Sequence, residues 1–545
     1  MAFRDEPLRA ASTTGGARAG LLALSLVAIL AGGAFAGLLI EAARQPGAAL
    51  GAFDGYLVRI ARFTLSQAVL STLLSVLPAI LVARALSRHP AFPGRGIVLR
   101  LFALPLALPP LVAALGVLAL LGRSGLAADM ADALGAGRWP GIYGLSGILV
   151  AHVFFNLPLA TRFFLQALDT VPADQWRLAS QLGMGARASF RFIEWPVIRA
   201  NLPGVAGLVF MLCITSFTIV LTLGGGPAAT TIEVAIYQAL RFDFDPARAL
   251  VLTLVQLLLT VAAVAILFRL GAEMSGEAAM SVSSRRYLSP TAPERAANVA
   301  VIAVAVLLVA APVAAIVISG LDAELGRLAR EPAVQRALAT SLLLAVLAAL
   351  LCVLLTYAMV SARHYHASRR RPGSRPSILE KAYDRGSGLI LIVPPILIGA
   401  GWFILLRHFA DVFALAPIMV VAVNAAMAIP FAVRVLRPAH DAAAERHDRL
   451  CTALGISGWN RIRLIDWPVL RQPFLTATAF AMALSLGDLG VIALFGSDQV
   501  QTLPYLLYAR LGSYRTADAA GLALLLAALC FALMMIADRR GGLGR

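Results

Sequence analysis

The side chains that could do chemistry in this 545-residue chain are few and scattered. Asp488 stands alone in an apolar run. A charge at the centre of a bilayer costs roughly 2.5–3.5 kcal/mol, so such a group faces a bundle interior or a wet cavity. There it can attract a cationic solute, govern a gate, or bond a neighbouring helix. His152 and Asn156, four residues apart, share one helical face, and polar pairs of this kind either line a cavity or bond between helices. His364-x-His366 lies in a strongly basic stretch, which disfavours a cation, and no metal site is expected there. Cys213, Cys352, Cys451 and Cys530 are too far apart for ligand spacing and suggest no disulfide framework. A phosphate loop needs Gly-x-x-x-x-Gly-Lys-Ser/Thr, so that backbone amides and one lysine hold the phosphates. Gly224-Gly225-Gly226-Pro227 has no lysine behind it, and Lys381, the single lysine, follows Glu380 and precedes Ala382. The chain therefore does not hydrolyse ATP by that route. The expectation is no catalytic residue, no metal and no resident cofactor.

The elements that must position these groups are membrane helices. Residues of the AVILMFWYC set make up 60% of the chain, 14% are charged, and mean hydropathy is +0.82. An ordinary soluble enzyme, a disordered tail and a fibrous protein are excluded. Windows of about twenty apolar residues, long enough to cross ~30 Å of hydrocarbon, recur twelve times. They cover 20–40, 63–86, 97–121, 142–168, 202–223, 246–268, 297–320, 335–361, 387–407, 412–436, 473–495 and 519–537. The first follows Arg4, Arg9 and Arg18 and contains Ala34-Phe35-Ala36; its apolar run exceeds a signal-peptide core and is read as a retained helix. With the N-terminus inside, the inner segments hold 33 of the 46 basic residues and the outer segments 13, while acidic residues divide 15 to 14. The net charge of +17 is thus an orientation signal set against an anionic leaflet, and nucleic acid has no place as a partner. Both termini are expected in the cytoplasm.

The chain also repeats itself. Arg177-Leu-Ala-Ser-Gln-Leu182-Gly183, then Ile193-Glu194-Trp195-Pro196, returns 272 residues later as Arg449-Leu450-Cys-Thr-Ala-Leu454-Gly455, then Ile465-Asp466-Trp467-Pro468. Pro158 and Pro430 keep that offset, and Pro109-Pro110 pairs with Pro394-Pro395. The expected fold is therefore an all-α polytopic membrane protein of about twelve helices in two homologous six-helix halves, residues 1–268 and 297–545, joined by a cytoplasmic linker over 269–296. At the same offset Asp488 falls on Ser216 and Asn424 on His152, so the halves differ chemically along a shared path. Asp488, Ser216, His152, Asn156 and Asn424 are the candidate path residues.

Each repeated loop is expected to form a short amphipathic helix, a glycine turn and a second short helix ended by Trp-Pro. Pro172 opens the first copy, Asp441 or Ser457 caps the second, and Gly183 and Gly455 supply left-handed stops. Leu178 and Leu182 fall on one face. Outside the membrane, Glu233, Asp243 and Asp245 read as solvated loop charge, and Tyr237 and Tyr508 as interfacial anchors.

The glycine-centred loop, with Ile ten residues on and then x-Trp-Pro, resembles the EAA loop of ABC importer membrane subunits. In that family the loop is the coupling helix seated on the ATP-binding subunit. The resemblance assigns coupling to Arg177, Leu178, Leu182, Gly183, Ile193 and Pro196, and to Arg449, Leu450, Leu454, Gly455, Ile465 and Pro468. The family's glutamate is replaced by Arg177 and Arg449, and its Leu-Pro by Trp-Pro. Ala151-His-Val-Phe-Phe-Asn156-Leu-Pro158, Gly224-Gly-Gly-Pro-Ala-Ala-Thr-Thr-Ile-Glu233, Gly487-Asp488-Leu-Gly490 and Thr502-Leu-Pro504-Tyr resemble the fused thiamine permeases of that class. What this implies is a bacterial inner-membrane pore for thiamine and its phosphate esters. A periplasmic thiamine-binding protein would feed it, and an ABC ATPase homodimer on the cytoplasmic side, carrying ATP-Mg, would drive it. Membrane lipid is the remaining partner. A ferric-iron importer permease shares the general plan, and an ion-coupled secondary transporter with Asp488 as its ion site is the rival from another class.

Overall fold

A computed structural model describes residues 14–44, 47, 51–135, 137–269, 291–370, 374–389, 393–497 and 500–539. Most of the 269–296 linker lies outside the described residues. The described chain is helical with no strand. Its main helices in the first half are α1 (Thr14–Arg44), α2 (Gly55–Arg88), α3 (Pro110–Leu121), α4 (Leu145–Asp169), α5 (Ala173–Gln181), α6 (Trp195–Ile214), α7 (Ile232–Arg241) and α8 (Pro246–Arg269). The second half contributes α9 (Ala292–Leu321), α10 (Pro332–Ser368), α11 (Pro395–Leu406), α12 (Ala416–Ala453), α13 (Trp467–Leu486), α14 (Leu503–Gly512) and α15 (Thr516–Arg539). Residues 292–296, assigned to the linker from sequence, already belong to α9, started by a capping box between Thr291 and Glu294.

Among the described residues eleven helices are long and apolar enough to cross a membrane, not twelve. Among its described residues the expected span at 387–407 holds the end of a helix over Ile378–Leu389 and then the 12-residue α11, and the span at 97–121 is broken into pieces before the 12-residue α3. Both breaks have one cause. A proline disfavours helical backbone in the residue before it, and Pro109 and Pro394, each followed by proline, sit at ψ 140° and 147°. At 1.5 Å per residue α11 rises about 18 Å, short of the ~30 Å of hydrocarbon, whereas α3 is followed by a helix over Leu126–Ala133 and the stretch Pro110–Ala133 counts among the eleven. The spans at 202–223 and 473–495 also break: α6 ends at Ile214 before a short helix Thr218–Leu223, and α13 ends at Leu486 before Gly490–Phe495.

The two halves exchange their first helices. α1 packs against α10 and α11, and α9 packs against α2 and α3. The seventh residue of each short helix is a glycine that receives the visitor: a Cβ on Gly401 would stand 2.3 Å from the Ala34 carbonyl oxygen, and one on Gly116 2.7 Å from that of Pro312. Close backbone approach of this kind is what small residues permit where lipid gives helices no hydrophobic reason to associate. The Trp402 indole donates to the Leu30 carbonyl at 2.7 Å, and Arg407 pairs with the buried Glu41 at 2.9 Å. Gly401→Ala is expected to cost about 1–3 kcal/mol, the usual price of overpacking, because backbone rather than a flexible side chain must move. Thermal unfolding in detergent checks it, against Gly326→Ala, whose Cβ has open space.

The outer segments are less exposed than their composition suggests. α7 and α14 descend into the protein, and their first turns are held by equivalent bonds: Ile232 N–H to Thr64 Oγ1 at 3.1 Å and Leu503 N–H to Ser341 Oγ at 2.7 Å. Glu233, read as solvated loop charge, is 1% exposed, and Tyr237, read as an interfacial anchor, is 4% exposed. Both lie on α7, whose apolar neighbours enclose it, so the polar spacing that marks a loop here marks a buried half-length helix. Asp243 is exposed, while Asp245 is half-exposed and caps Arg248.

Candidate functional site

Two places combine the repeated motif and the polar path residues: a pair of knobs at one end of the bundle, and a cavity at the seam of the halves.

The first knob is α5 with the turn that follows. Pro172 precedes α5 as its cap residue, and the helix stops at Gly183, whose φ of 62° suits a residue without Cβ. Trp176 and Ala179 face inward. Leu178 and Leu182 are 56% and 68% exposed, and Arg177, paired with Asp174 at 3.4 Å, is exposed with them. The second knob differs in construction. It is no separate helix but the end of the 38-residue α12, so Asp441 lies mid-helix and caps nothing; the cap residue of the next short helix is Ser457. Proline explains the contrast: Pro172 interrupts the first copy, and its counterpart 272 residues on is Ala444. Gly455 again stops the helix at φ 65°, leaving Arg449 exposed and Leu450 and Leu454 51% and 63% exposed. Trp-Pro does not end the motif as expected. Trp195-Pro196 and Trp467-Pro468 open α6 and α13, each after a single π turn, with Ile193 and Ile465 half-buried and Pro196 and Pro468 exposed. Proline suits the first turn of a helix because its missing N–H has no partner there.

Between isoleucine and tryptophan each copy carries an acid, and these residues anchor the knobs. Glu194 is fully buried and takes Nε of Arg84 at 2.6 Å and Nε of Arg88 at 3.0 Å, both from the end of α2. The same two guanidiniums donate to the Ala186 carbonyl at 3.3 Å. Asp466 accepts the Tyr357 hydroxyl of α10 at 2.6 Å and lies 3.6 Å from Nε of Arg461, which binds Asp448 at 2.7 Å. Each knob is thus fixed to the long helix, α2 or α10, that also holds α7 or α14 further along. Arg84, Arg88, Tyr357 and Arg461 were not singled out from sequence; the acid before Trp-Pro in both copies was the visible signal for their partners.

The cavity, about 260 Å³, lies between Leu108-Pro109-Pro110 of one half and Asn424, Ser485 and Asp488 of the other. The break after α13 presents Asp488. Its Oδ1 accepts the Gly490 N–H at 3.0 Å, and its Oδ2 is buried from solvent. Asn424 donates to Ser485 Oγ at 3.0 Å beside it. Of the five candidate path residues the lining includes Asp488 and Asn424. Ser216 sits half-buried in the matching break of the first half, outside the lining. His152 and Asn156 are not in the lining of this cavity either. His152 Nδ1 lies 2.8 Å from Ser71 Oγ, and Asn156 donates to Cys213 Sγ at 3.3 Å, so both bond between helices of the first half, the arrangement an apolar bundle imposes on polar side chains.

This geometry supplies a cavity lined by one carboxylate and two anchored apolar knobs. Comparison with known proteins agrees with it. Residues 75–275 and 373–539 match the family described as "Binding-protein-dependent transport system inner membrane component". The thiamine transport system permease protein of Brucella abortus (strain 2308) is 60% identical over 521 residues, 96% of this chain and 94% of that one. That of Escherichia coli (strain K12) is 42% identical over 543 residues, 99% of both. A probable sulfate transport system permease protein of Helicosporidium is 26% identical over 209 residues, 38% of this chain and 76% of that one.

Proposed function

The chain belongs to the binding-protein-dependent transport system inner membrane components, and on that premise we propose that it is the fused, two-halved membrane permease of an ABC importer for thiamine. It is a transport subunit, not a catalyst. Energy comes from an ATPase homodimer seated on the two knobs, and cargo from a periplasmic thiamine-binding protein, with both termini in the cytoplasm. Thiamine and its phosphate esters share the cationic thiazolium that the path must accommodate.

The observation that carries the cargo reading is Asp488, the one carboxylate lining a cavity formed by both halves. At 4 Å, a carboxylate and a cation attract by about 4 kcal/mol at an effective dielectric of 20. One carboxylate with an amide and a hydroxyl near it suits a diffuse organic cation better than a ferric ion, which demands several hard oxygen donors. Closure of the ATPase dimer would draw the knobs together. Glu194 passes the displacement to α2, Asp466 passes it to α10, and the bonds from Thr64 and Ser341 carry it to α7 and α14.

Uptake by permease reconstituted with its ATPase and binding protein tests this. Asp488→Asn is expected to lower thiamine uptake at least tenfold, about 1.4 kcal/mol of lost attraction, while the protein stays folded. Excess unlabelled thiamine should compete and ferric ion should not. Uptake that runs on an ion gradient without the ATPase would overturn the energy assignment.

A further inference from the structure

At the cytosolic end of the second half, α10 and α12 bring His364, His440 and Asp441 together, one donor atom of each lying within 4.8 Å of the other two. Asp441 Oδ1 stands 4.0 Å from His364 Nδ1 and 3.9 Å from His440 Nδ1. Those separations are too long for hydrogen bonds. Asp441 Oδ1 and His440 Nδ1 are nevertheless buried without a partner, and His440 is 3% exposed. Leaving two buried polar atoms unmade costs about 1–3 kcal/mol each, so something is expected to fill the gap between them.

The far nitrogens show what. His364 Nε2 is 2.8 Å from Asp448 Oδ2, and His440 Nε2 is 3.3 Å from Ser361 Oγ. An outer oxygen that holds the distal nitrogen of an imidazole orients its other nitrogen toward a metal and raises its basicity. Donors about 2.0–2.1 Å from a tetrahedral zinc are about 3.4 Å apart, so the two edges to Asp441 need to close by roughly half an ångström and the edge between the imidazoles, within 4.8 Å, by at most about 1.4 Å. We propose that His364, His440 and Asp441 form a three-ligand site for a divalent first-row transition metal, of which zinc is the type, with water as fourth ligand.

Charge decides which metals fit. Asp441 Oδ2 faces Arg363 at 3.6 Å and Arg437 at 3.9 Å, and both arginines are also paired with Asp384. Arg461 is paired with Asp448. A carboxylate already shared with two guanidiniums is a weak donor, so the two imidazoles dominate and magnesium and calcium are disfavoured. His366, whose ring stacks on Tyr383, takes no part. Sequence spacing pointed to His364-x-His366 and therefore away from the pair that the fold assembles. The site belongs to one half only: 272 residues earlier, His440 and Asp448 correspond to Leu168 and Trp176. A metal here would join α10 to α12 beside Asp448 and Arg461, and so stiffen the root of the second knob.

Titration of the purified full-length permease, carrying a tag without histidine, with cobalt(II) tests the site. One equivalent is expected to give the strong visible bands of four-coordinate cobalt and to be displaced by zinc but not magnesium. His440→Leu, the residue of the other half, and Asp441→Asn should each lower cobalt affinity at least tenfold; His366→Ala should not. Size-exclusion profiles establish that the variants fold. Absence of the bands in the unaltered protein, meaning that water fills the gap, overturns the proposal. So does binding that survives in both ligand variants or is lost in His366→Ala.

Discussion

Thiamine uptake is expected to fall to background, by about 100-fold or more, when Gly183 and Gly455 are both replaced by leucine, while the membrane domain keeps its thermal stability. The separation of the two effects follows from local geometry. Both glycines have positive φ, 62° and 65°, and a Cβ at either position meets nothing within 4 Å. The Cβ of the new side chain therefore meets no neighbour, and the expected cost is the backbone preference against the left-handed region, roughly 1–2 kcal/mol per residue. Each glycine lies beyond the buried side chains of its knob, Trp176 and Ala179 in the first and Cys451 in the second, so a change at the turn leaves them in place. What the substitution changes is the path of the turn. The Met184 N–H bonds the Ala179 carbonyl and the Ile456 N–H bonds that of Cys451, closing each helix over its left-handed residue. Without that closure, Leu178 and Leu182, or Leu450 and Leu454, no longer stand at a fixed angle to Ile193 and Ile465. On the proposal that an ATPase dimer seats on both knobs, either single variant is expected to be defective as well. Uptake at full rate by the double variant would remove the knobs from the energy path.

How much of this was readable beforehand depends on the scale of the pattern. Helix existence, the repeat and the position of the knobs follow from hydropathy and from identities at a fixed offset, and these were legible. The path within the membrane was not, because apolar composition is the same whether a segment crosses the bilayer or turns back inside it. Pro109-Pro110 and Pro394-Pro395 were visible as a pair, and their effect on the preceding backbone is what fixes where α3 and α11 begin. The exchange of first helices left a fainter trace in Gly116 and Gly401, each seven residues into its helix, whose meaning depends on a partner more than a hundred residues away. Glu233 and Tyr237 misled because a buried helix that packs through its apolar face can carry the same polar residues as a loop. His152 and Asn156 were correctly placed on one helical face, but a face says nothing about whether the neighbour is a cavity or another helix. Asp488 was legible for the opposite reason: a lone acid in an apolar run has few places to go.

Glu194→Ala should destabilise the permease by about 3 kcal/mol and uncouple it, and the matching Asp466→Ala should do less of both. Removing one partner of a buried ion pair leaves an uncompensated charge, which costs about 3–5 kcal/mol. In the first half that charge is doubled, since Arg84 and Arg88 both end on Glu194, with side chains only 25% and 13% exposed. Arg84 keeps its stacking on Phe190 at 4.6 Å and its bond to Ala186, which places the expected cost at the lower end. In the second half the loss is softer. Tyr357 is a neutral donor, and Arg461 retains Asp448 at 2.7 Å when Asp466 is gone. The coupling defect is the more telling readout. Glu194 is the point at which α2 grips the π turn before Trp195, so a knob without it can dock and move while α2 stays behind. ATP hydrolysis by the assembled transporter should then persist while thiamine delivered per ATP falls several-fold. Glu194→Gln, which keeps the shape and loses the charge, should lie between. If both alanine variants lowered stability equally and left the ratio of uptake to hydrolysis unchanged, the buried acids would be packing residues and the displacement would have to reach α2 by another route.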